Sequence, residues 1–387
     1  MMKTLAFIVA ILFAPVALSA QLSQYTAGKV QQAQKLQLED KVSAAIVLLT
    51  EMDISRAYDK AFVNRMLGVY YWQDGKPALS IQRLTQAIES GQLDDEYLRS
   101  TQRMLADILL SQAQYQKALN YYYPLSKSIP ATEKADELWL RIAQANYQLE
   151  EWRSVLSAIQ QYERVHKQKE VQPLSLKLGA QLQLQQYKSA LPTLSSLIML
   201  EPQKVMWWRQ LAGIEMRLER RKQAIETLAL AKRQGVALSQ QDLKTLGQLY
   251  AQEGIPEKAA RVFASLENSD SHLDLLISQA TYWQMAKEWD QAIETWRKAV
   301  ELDTQYRWQL STLLLQEGHY QLALNELDKL QIKNKQADIE LAKVRAYYKL
   351  QNLEQAIVHA KKADNLQSSK ASQSWIKYLN QLRDMDS

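Results

Sequence analysis

The sequence predicts an all-α chain: a solenoid of about ten helix-turn-helix hairpins with one further helix capping its C-terminal end. Three observations carry that prediction. Glycine occurs 10 times and proline 8 times in 387 residues, well below ordinary usage, so helical runs are seldom interrupted. Past residue 21, apolar residues recur at helical spacing and alternating strand-like stretches are scarce, so no segment needs a sheet. A small residue also returns at a steady interval: Ala190, Ala224, Ala259, Ala292, Ala323 and Ala356 stand 34, 35, 33, 31 and 33 positions apart.

Residues 1–20 form a separate element. Lys3 gives a positive start, Thr4 to Leu18 is apolar and uncharged, and Ala17, Ser19 and Ala20 supply small residues before the polar Gln21. This is the pattern of a secretory signal peptide, with cleavage expected after Ser19 or Ala20. The other reading is a membrane anchor, but the run is only about 15 residues and holds Pro15, against the ~20 that a span needs. No later run approaches that length. The mature chain is therefore expected to be exported and soluble, in the periplasm if the source is bacterial.

The mature chain, 21–387, reads as a single array. A weak first hairpin is expected over 29–55 and clear ones over 60–363. In order, the clear copies carry Leu67, Gly68, Tyr71, Gly75 and Ala87; then Leu105, Ala106, Tyr115, Ala118 and Tyr122; then Trp139, Ile142, Ala143 and Ile159. Later copies carry Leu243, Leu246, Gly247, Tyr250 and Phe263, then Leu276, Ala280, Trp283 and Trp296, then Leu310, Gly318 and Tyr320. Two helices approach closely only where small side chains meet, which explains the recurring alanines and glycines, and the large residues fill the space beside them. Ser80 and Val155 replace the usual alanine in two copies. Gly75, Gly254 and Gly318 are expected in the turns, with Pro77 and Pro256 opening the second helices, where a missing N–H costs least. Polar breaks fall near 126–135 and 163–173. The stretch around Trp375, Tyr378 and Leu379 reads as the capping helix, about 368–383.

The segment "MWWRQLAGIEMRLERRKQA" sets two tryptophans side by side on one helix, about 100° apart. Trp208, Leu211 and Ala212 share one side, expected to pack on the second helix of the same hairpin. Trp207, Ile214 and Leu218 share another, directed at the neighbouring hairpin; the alternative is that Trp207 is an exposed platform for a ligand. A third side carries Met206, Arg209, Gly213 and Arg217. Its counterparts in the next two hairpins are Gln241, Lys244, Gln248 and Gln252, then Asp274, Ile277, Thr281 and Met285. Such faces line the inner wall of a curved array, and here the wall is polar and slightly basic. Arg209, Gly213, Arg217, Lys244, Gln248, Gln252 and Thr281 are therefore the candidate partner-binding residues, the plainer reading being a solvated face.

The repeat length and the small-residue pattern resemble the tetratricopeptide repeat (TPR) over nearly the whole mature chain. The resemblance implies a right-handed superhelix of repeats that binds protein partners. The family's basic, asparagine-containing clamp for terminal carboxylates is not carried over, because Gly213 stands where that clamp has an asparagine beside Arg209. The blocks "VMWWRQLAGIEMRLERRKQAIETLALAKRQGV" and "LGQLYAQEGIPEKAARVFASL", behind a leader and without cysteine, are also similar to periplasmic TPR proteins of TonB–ExbB–ExbD energy-transduction systems. That similarity implies an accessory role in energised uptake of iron chelates, with TonB-complex components as partners. A scaffold for envelope polysaccharide export or secretion machinery is the alternative.

Chemistry is sparsely signalled. A net charge of +5, with Lys and Arg interspersed among Asp and Glu, gives no reason to expect nucleic acid. Without cysteine there is no disulfide framework, thiolate zinc site or lipidation at cysteine. His166, His272, His319 and His359 fall in four different repeats and are expected in loops or at the surface; no metal-ligand spacing or phosphate loop occurs. Asp94 with Asp95, and Glu150 with Glu151, read as caps and solvated ends. A non-enzyme without a cofactor is expected.

Overall fold

The computed structural model describes residues 22–386, and every regular element among them is helical. The expected leader, 1–20, lies outside the described residues. Twenty of the α-helices pair into ten hairpins: α1 (Gln24–Leu38) with α2 (Val42–Thr50), α3 (Ala57–Gln73) with α4 (Pro77–Glu89), α5 (Asp95–Ser111) with α6 (Tyr115–Ser126), α7 (Ala135–Gln148) with α8 (Trp152–Val165), and α9 (Val171–Gln183) with α10 (Tyr187–Leu200). Then come α11 (Val205–Arg217) with α12 (Arg221–Arg233), α13 (Gln240–Gln252) with α14 (Pro256–Ala264), α15 (Leu273–Met285) with α16 (Trp289–Leu302), α17 (Arg307–Gln316) with α18 (Tyr320–Leu327), and α19 (Gln336–Lys349) with α20 (Leu353–Leu366); α21 (Lys370–Asp386) follows. The described residues divide into two compact units, the first ending at Leu200 and the second beginning at Glu201. Each unit is a row of such hairpins.

One turn geometry joins the helices of every hairpin. The turns place Asp40, Gly75, Ala113, Glu150, Gln185, Glu219, Gly254, Lys287, Gly318 and Gln351 in the left-handed region, with φ between 55 and 81°. The next residue then donates its N–H to the carbonyl five positions earlier at 2.8–3.0 Å, as Lys76 does to Tyr71 and Arg220 to Glu215. This is the Schellman closure, which satisfies carbonyls that a helix end otherwise leaves open. The glycine turns and the N1 prolines Pro77 and Pro256 stand where the sequence puts them. Asp94 caps α5 by accepting the Tyr97 N–H at 2.9 Å.

The second-helix small residue is the pivot of each hairpin. Ala45, Ala118, Ala190, Ala224, Ala259, Ala292, Ala323 and Ala356 are all 0% exposed, and so are Ser80 and Val155 in the two exceptional copies. Ser80 is tolerated because its hydroxyl donates to the Gly68 carbonyl at 2.6 Å. In the first unit the core passes from Ala33, Phe62 and Leu67 to Leu84, Leu105, Tyr122, Ile142 and Ile159. In the second, Ala212, Leu228, Leu246 and Tyr250 form one cluster, and Leu276, Trp296 and Leu310 belong to the next. Leu379 of α21 is 0% exposed against Val344, Ala356 and Ala360.

Both tryptophans of the quoted helix are buried, Trp207 at 4% and Trp208 at 3% exposure, so the platform alternative for Trp207 does not hold. The preceding turn satisfies both indoles: Trp207 Nε1 donates to Glu201 Oε2 and Trp208 Nε1 to the Pro202 carbonyl, each at 2.8 Å.

Polar pairs twelve residues apart link some hairpins internally. Thr193 donates to Gln181 at 2.9 Å and, one hairpin later, Thr227 to Glu215 at 2.8 Å. Burial holds the Glu215 carboxyl above the ordinary carboxylate range, while the Thr227 hydrogen bond and the charge of Arg220 pull it down less strongly. An acid with a raised folded pKa keeps its proton longer in the folded state, so stability falls as pH rises from the unfolded value through the folded one. Glu215→Gln removes that loss. The variant is expected to match wild type near pH 4 and to be the more stable at pH 7 in urea titrations. A variant less stable at pH 7, with an unchanged pH slope, would show that the carboxylate is favourable there.

Candidate functional site

In the second unit the expected residues occupy α11, α13 and α15. Arg209, Gly213, Arg217, Gln248, Gln252 and Thr281 are exposed, and Lys244 is half-buried. One of the basic residues of this polar, slightly basic face is ion-paired. Arg209 Nε lies 2.9 and 2.8 Å from the two carboxylate oxygens of Asp242, with Nη2 at 2.7 Å, so its charge is matched across successive first helices. The same carboxylate accepts the Ser239 N–H and hydroxyl, each at 2.7 Å, in the capping box that opens α13. Burial works against the charged Asp242, but the hydrogen bonds from Arg209 and Ser239 outweigh it and hold the carboxyl below its usual value. Lys244 lines a cleft of about 250 Å³ with Gln240, Asn268, His272 and Leu275. The Thr281 hydroxyl is spent on the Ile277 carbonyl at 2.7 Å.

The larger concavity lies in the first unit, away from the residues that the sequence singles out. A groove of about 710 Å³ is lined by α3, α5, α7 and α9, the first helices of four successive hairpins, with Tyr115 opening α6. Arg65, Arg103 and Arg141 stand along it 38 residues apart, one to a hairpin. Trp72, Met104, Ile108, Leu110 and Leu176 supply apolar wall; Gln144, Gln148 and Gln172 supply amides. An apolar trough with a few convergent polar groups is the usual form of a ligand site.

The three arginines differ in state. Asp107 lies 3.3 Å from Arg103 Nε and 3.8 Å from Arg141 Nε, and it also accepts the Tyr122 hydroxyl. Burial and the neighbouring Asp107 push the Tyr122 phenol far above its usual range, so it stays a neutral donor. Arg65 is 8% exposed on the part of α3 where Ala61 to Tyr70 are all buried. Its Nε and Nη1 have no acceptor, and its guanidinium lies 4.8 Å from the centre of the Tyr97 ring. Desolvation pulls the Arg65 pKa down, opposed by Tyr97, Asp94, Tyr58 and Glu96. The 38-residue recurrence was the signal available in the sequence; it shows the ladder, though not which rung lacks a carboxylate.

Among the described residues no group of three or more His, Asp or Glu could hold a metal ion, and no helix is long and apolar enough to cross a membrane. His272 and His319 are exposed, as expected. His166 ends α8, with Nδ1 2.9 Å from Asp136 and Nε2 3.3 Å from Glu170. His359 corrects the sequence reading: it is 8% exposed inside α20, 2.6 Å from Glu340 Oε2 and stacked on Tyr347. Helical periodicity gives it a buried face, and Glu340 supplies the partner that makes burial tolerable.

No protein-family model and no curated protein matches the chain. Among solved structures it is similar to Naa15/Naa10 bound to HypK, at 15% identity and a TM-score of 0.45, covering 92% of this chain and 59% of that one. It is similar to a tetratricopeptide repeat protein from Parabacteroides merdae at 14% identity and a TM-score of 0.26, covering 84% and 99%. The Cut9–Hcn1 hetero-tetramer of APC/C gives 13% and 0.28, with 94% and 98% covered. The chain's own geometry carries the fold class: ten pairs of helices, each closed by one turn type and pivoting on a buried residue of the second helix, make an all-α array of tetratricopeptide-type hairpins.

Proposed function

We propose that the protein is a non-catalytic scaffold that holds a protein partner along its first helices, chiefly in the groove of the first unit. The observation that carries this reading is the groove itself: about 710 Å³ of largely apolar wall, built by four consecutive hairpins and edged with arginine and glutamine. The exposed strip with Arg209, Gly213, Arg217, Gln248, Gln252 and Thr281, together with Lys244, is a second surface for the same role. There Arg209 is matched by Asp242, and the exposed Gln248 and Gln252 add amide donors and acceptors.

The finer reading is a periplasmic accessory of a TonB-type uptake system, supported by the leader-like 1–20 segment and the similarity of 205–236 and 246–266. Polysaccharide export or secretion machinery is the second reading. A photo-crosslinking residue at Ser100 or Gln148 in the groove, or at Lys258 on α14, tests it in cells of the source organism. The groove positions are expected to trap one protein in the periplasmic fraction and Lys258 to trap none. Trapping at Lys258 alone would sink the groove reading, and the trapped protein's identity separates TonB components from export machinery.

A further inference from the structure

We propose that Arg65 is an anion site for the carboxylate of an acidic side chain borne by an otherwise apolar peptide segment lying in the first unit's groove. This rests on the groove reading above and names the chemistry of its occupant. Arg65 is 8% exposed, and its Nε and Nη1 lack any acceptor, so those two N–H donors give up water without recovering hydrogen bonds inside the chain. That is among the costlier arrangements available to a charged group. The neighbouring acids do not relieve it. Asp94 is spent on the Tyr97 N–H at 2.9 Å and the Tyr58 hydroxyl at 3.4 Å, and Glu96 is exposed to water. The Tyr97 ring at 4.8 Å steadies the cation but offers no acceptor to its N–H groups.

The rest of the groove selects the ligand. Arg103 and Arg141 each have the Asp107 carboxylate within 4 Å, a partner that Arg65 lacks. Trp72, Met104 and Leu176 ask for apolar side chains, and the amides of Gln144 and Gln148 suit a peptide backbone. Arg65 and Trp72 line the groove from the same helix, about two turns apart, so a segment crosses α3 with its carboxylate over Arg65 and apolar residues beyond it. A side-chain carboxylate meets that geometry without requiring the chain to end there.

Fluorescence anisotropy on the purified chain tests the proposal with three labelled peptides of about eight residues, leucine-rich and otherwise identical. The first is amidated with a central glutamate, the second amidated with glutamine there, and the third carries the glutamine with a free C-terminus. The glutamate peptide is expected to bind at least about tenfold tighter than its amidated twin, the scale of a desolvated charge-assisted hydrogen bond. Arg65→Met should remove that preference, leave the glutamine peptide's affinity unchanged, and unfold at no lower urea concentration than wild type. Arg65→Lys should keep part of the preference, and it serves as the binding variant if Arg65→Met does not fold. Equal binding of the amidated twins overturns the anion site while leaving the groove reading intact; binding of neither overturns both. A preference that survives Arg65→Met, or tight binding only of the free C-terminus, likewise overturns the proposal.

Discussion

Trp208→Ala is expected to destabilise the second unit by about 3–5 kcal/mol, the range for emptying a large aromatic site in a packed interior. Trp208 is 3% exposed and its indole N–H is satisfied by the Pro202 carbonyl at 2.8 Å, so truncation loses packing and also leaves that carbonyl without its donor. The neighbouring change Arg209→Ala is the control. Arg209 has a good geometric pair in Asp242, but its side chain is 45% exposed, and exposed pairs are worth only about 0.2–1 kcal/mol. Urea titrations followed by circular dichroism should therefore separate the two variants by at least about 2 kcal/mol. Comparable losses would mean that the faces of α11 have been assigned wrongly.

That helix also shows how much the sequence made legible. The side carrying Trp208, Leu211 and Ala212 follows from 3.6-residue periodicity and from the alanine recurring in the partner helix, and both signals are local. Burial of Trp207 follows because Ile214 continues its stripe, but the acceptor for its indole, Glu201, comes from a loop with no periodicity to read. The turns show the same limit. Glycine announces a left-handed residue at Gly75, Gly254 and Gly318, yet Ala113, Glu150, Gln185 and Lys287 adopt the same conformation, each at φ near 60°. For such residues the strain is only about 1–2 kcal/mol, small enough for the packing of two helices to override composition. The charged faces were least legible. The 38-residue recurrence of Arg65, Arg103 and Arg141 is readable, but whether each is matched depends on a carboxylate brought from elsewhere in the chain. Asp107 serves two of them, and no acceptor reaches Nε or Nη1 of the third. For the same reason Arg209 reads as a basic member of that strip in the sequence and is paired in the fold with Asp242, 33 positions away.

Gly247→Val should cost about 3 kcal/mol or more, at or beyond the upper end for overpacking a well-filled interior. A Cβ at this position would stand 2.6 and 2.7 Å from two ring atoms of Phe263. That ring cannot withdraw cheaply: it is 1% exposed and packs edge-on against Tyr282 with centroids 5.3 Å apart. Alanine brings the same clash with less bulk, about 1–3 kcal/mol, offset by up to about 1 kcal/mol because alanine outranks glycine inside a helix. Gly213, also inside a first helix but on the exposed side, isolates that propensity term. A Cβ there meets nothing within 4 Å, so Gly213→Ala is expected to stabilise by about 0.5–1 kcal/mol. Phe263→Leu should reduce the penalty of Gly247→Ala by shortening the obstructing side chain, a coupling that a double-mutant cycle reads directly. If Gly247→Val and Gly213→Ala shift stability in the same direction, or the cycle shows no coupling, close approach of α13 and α14 does not explain the glycine at 247.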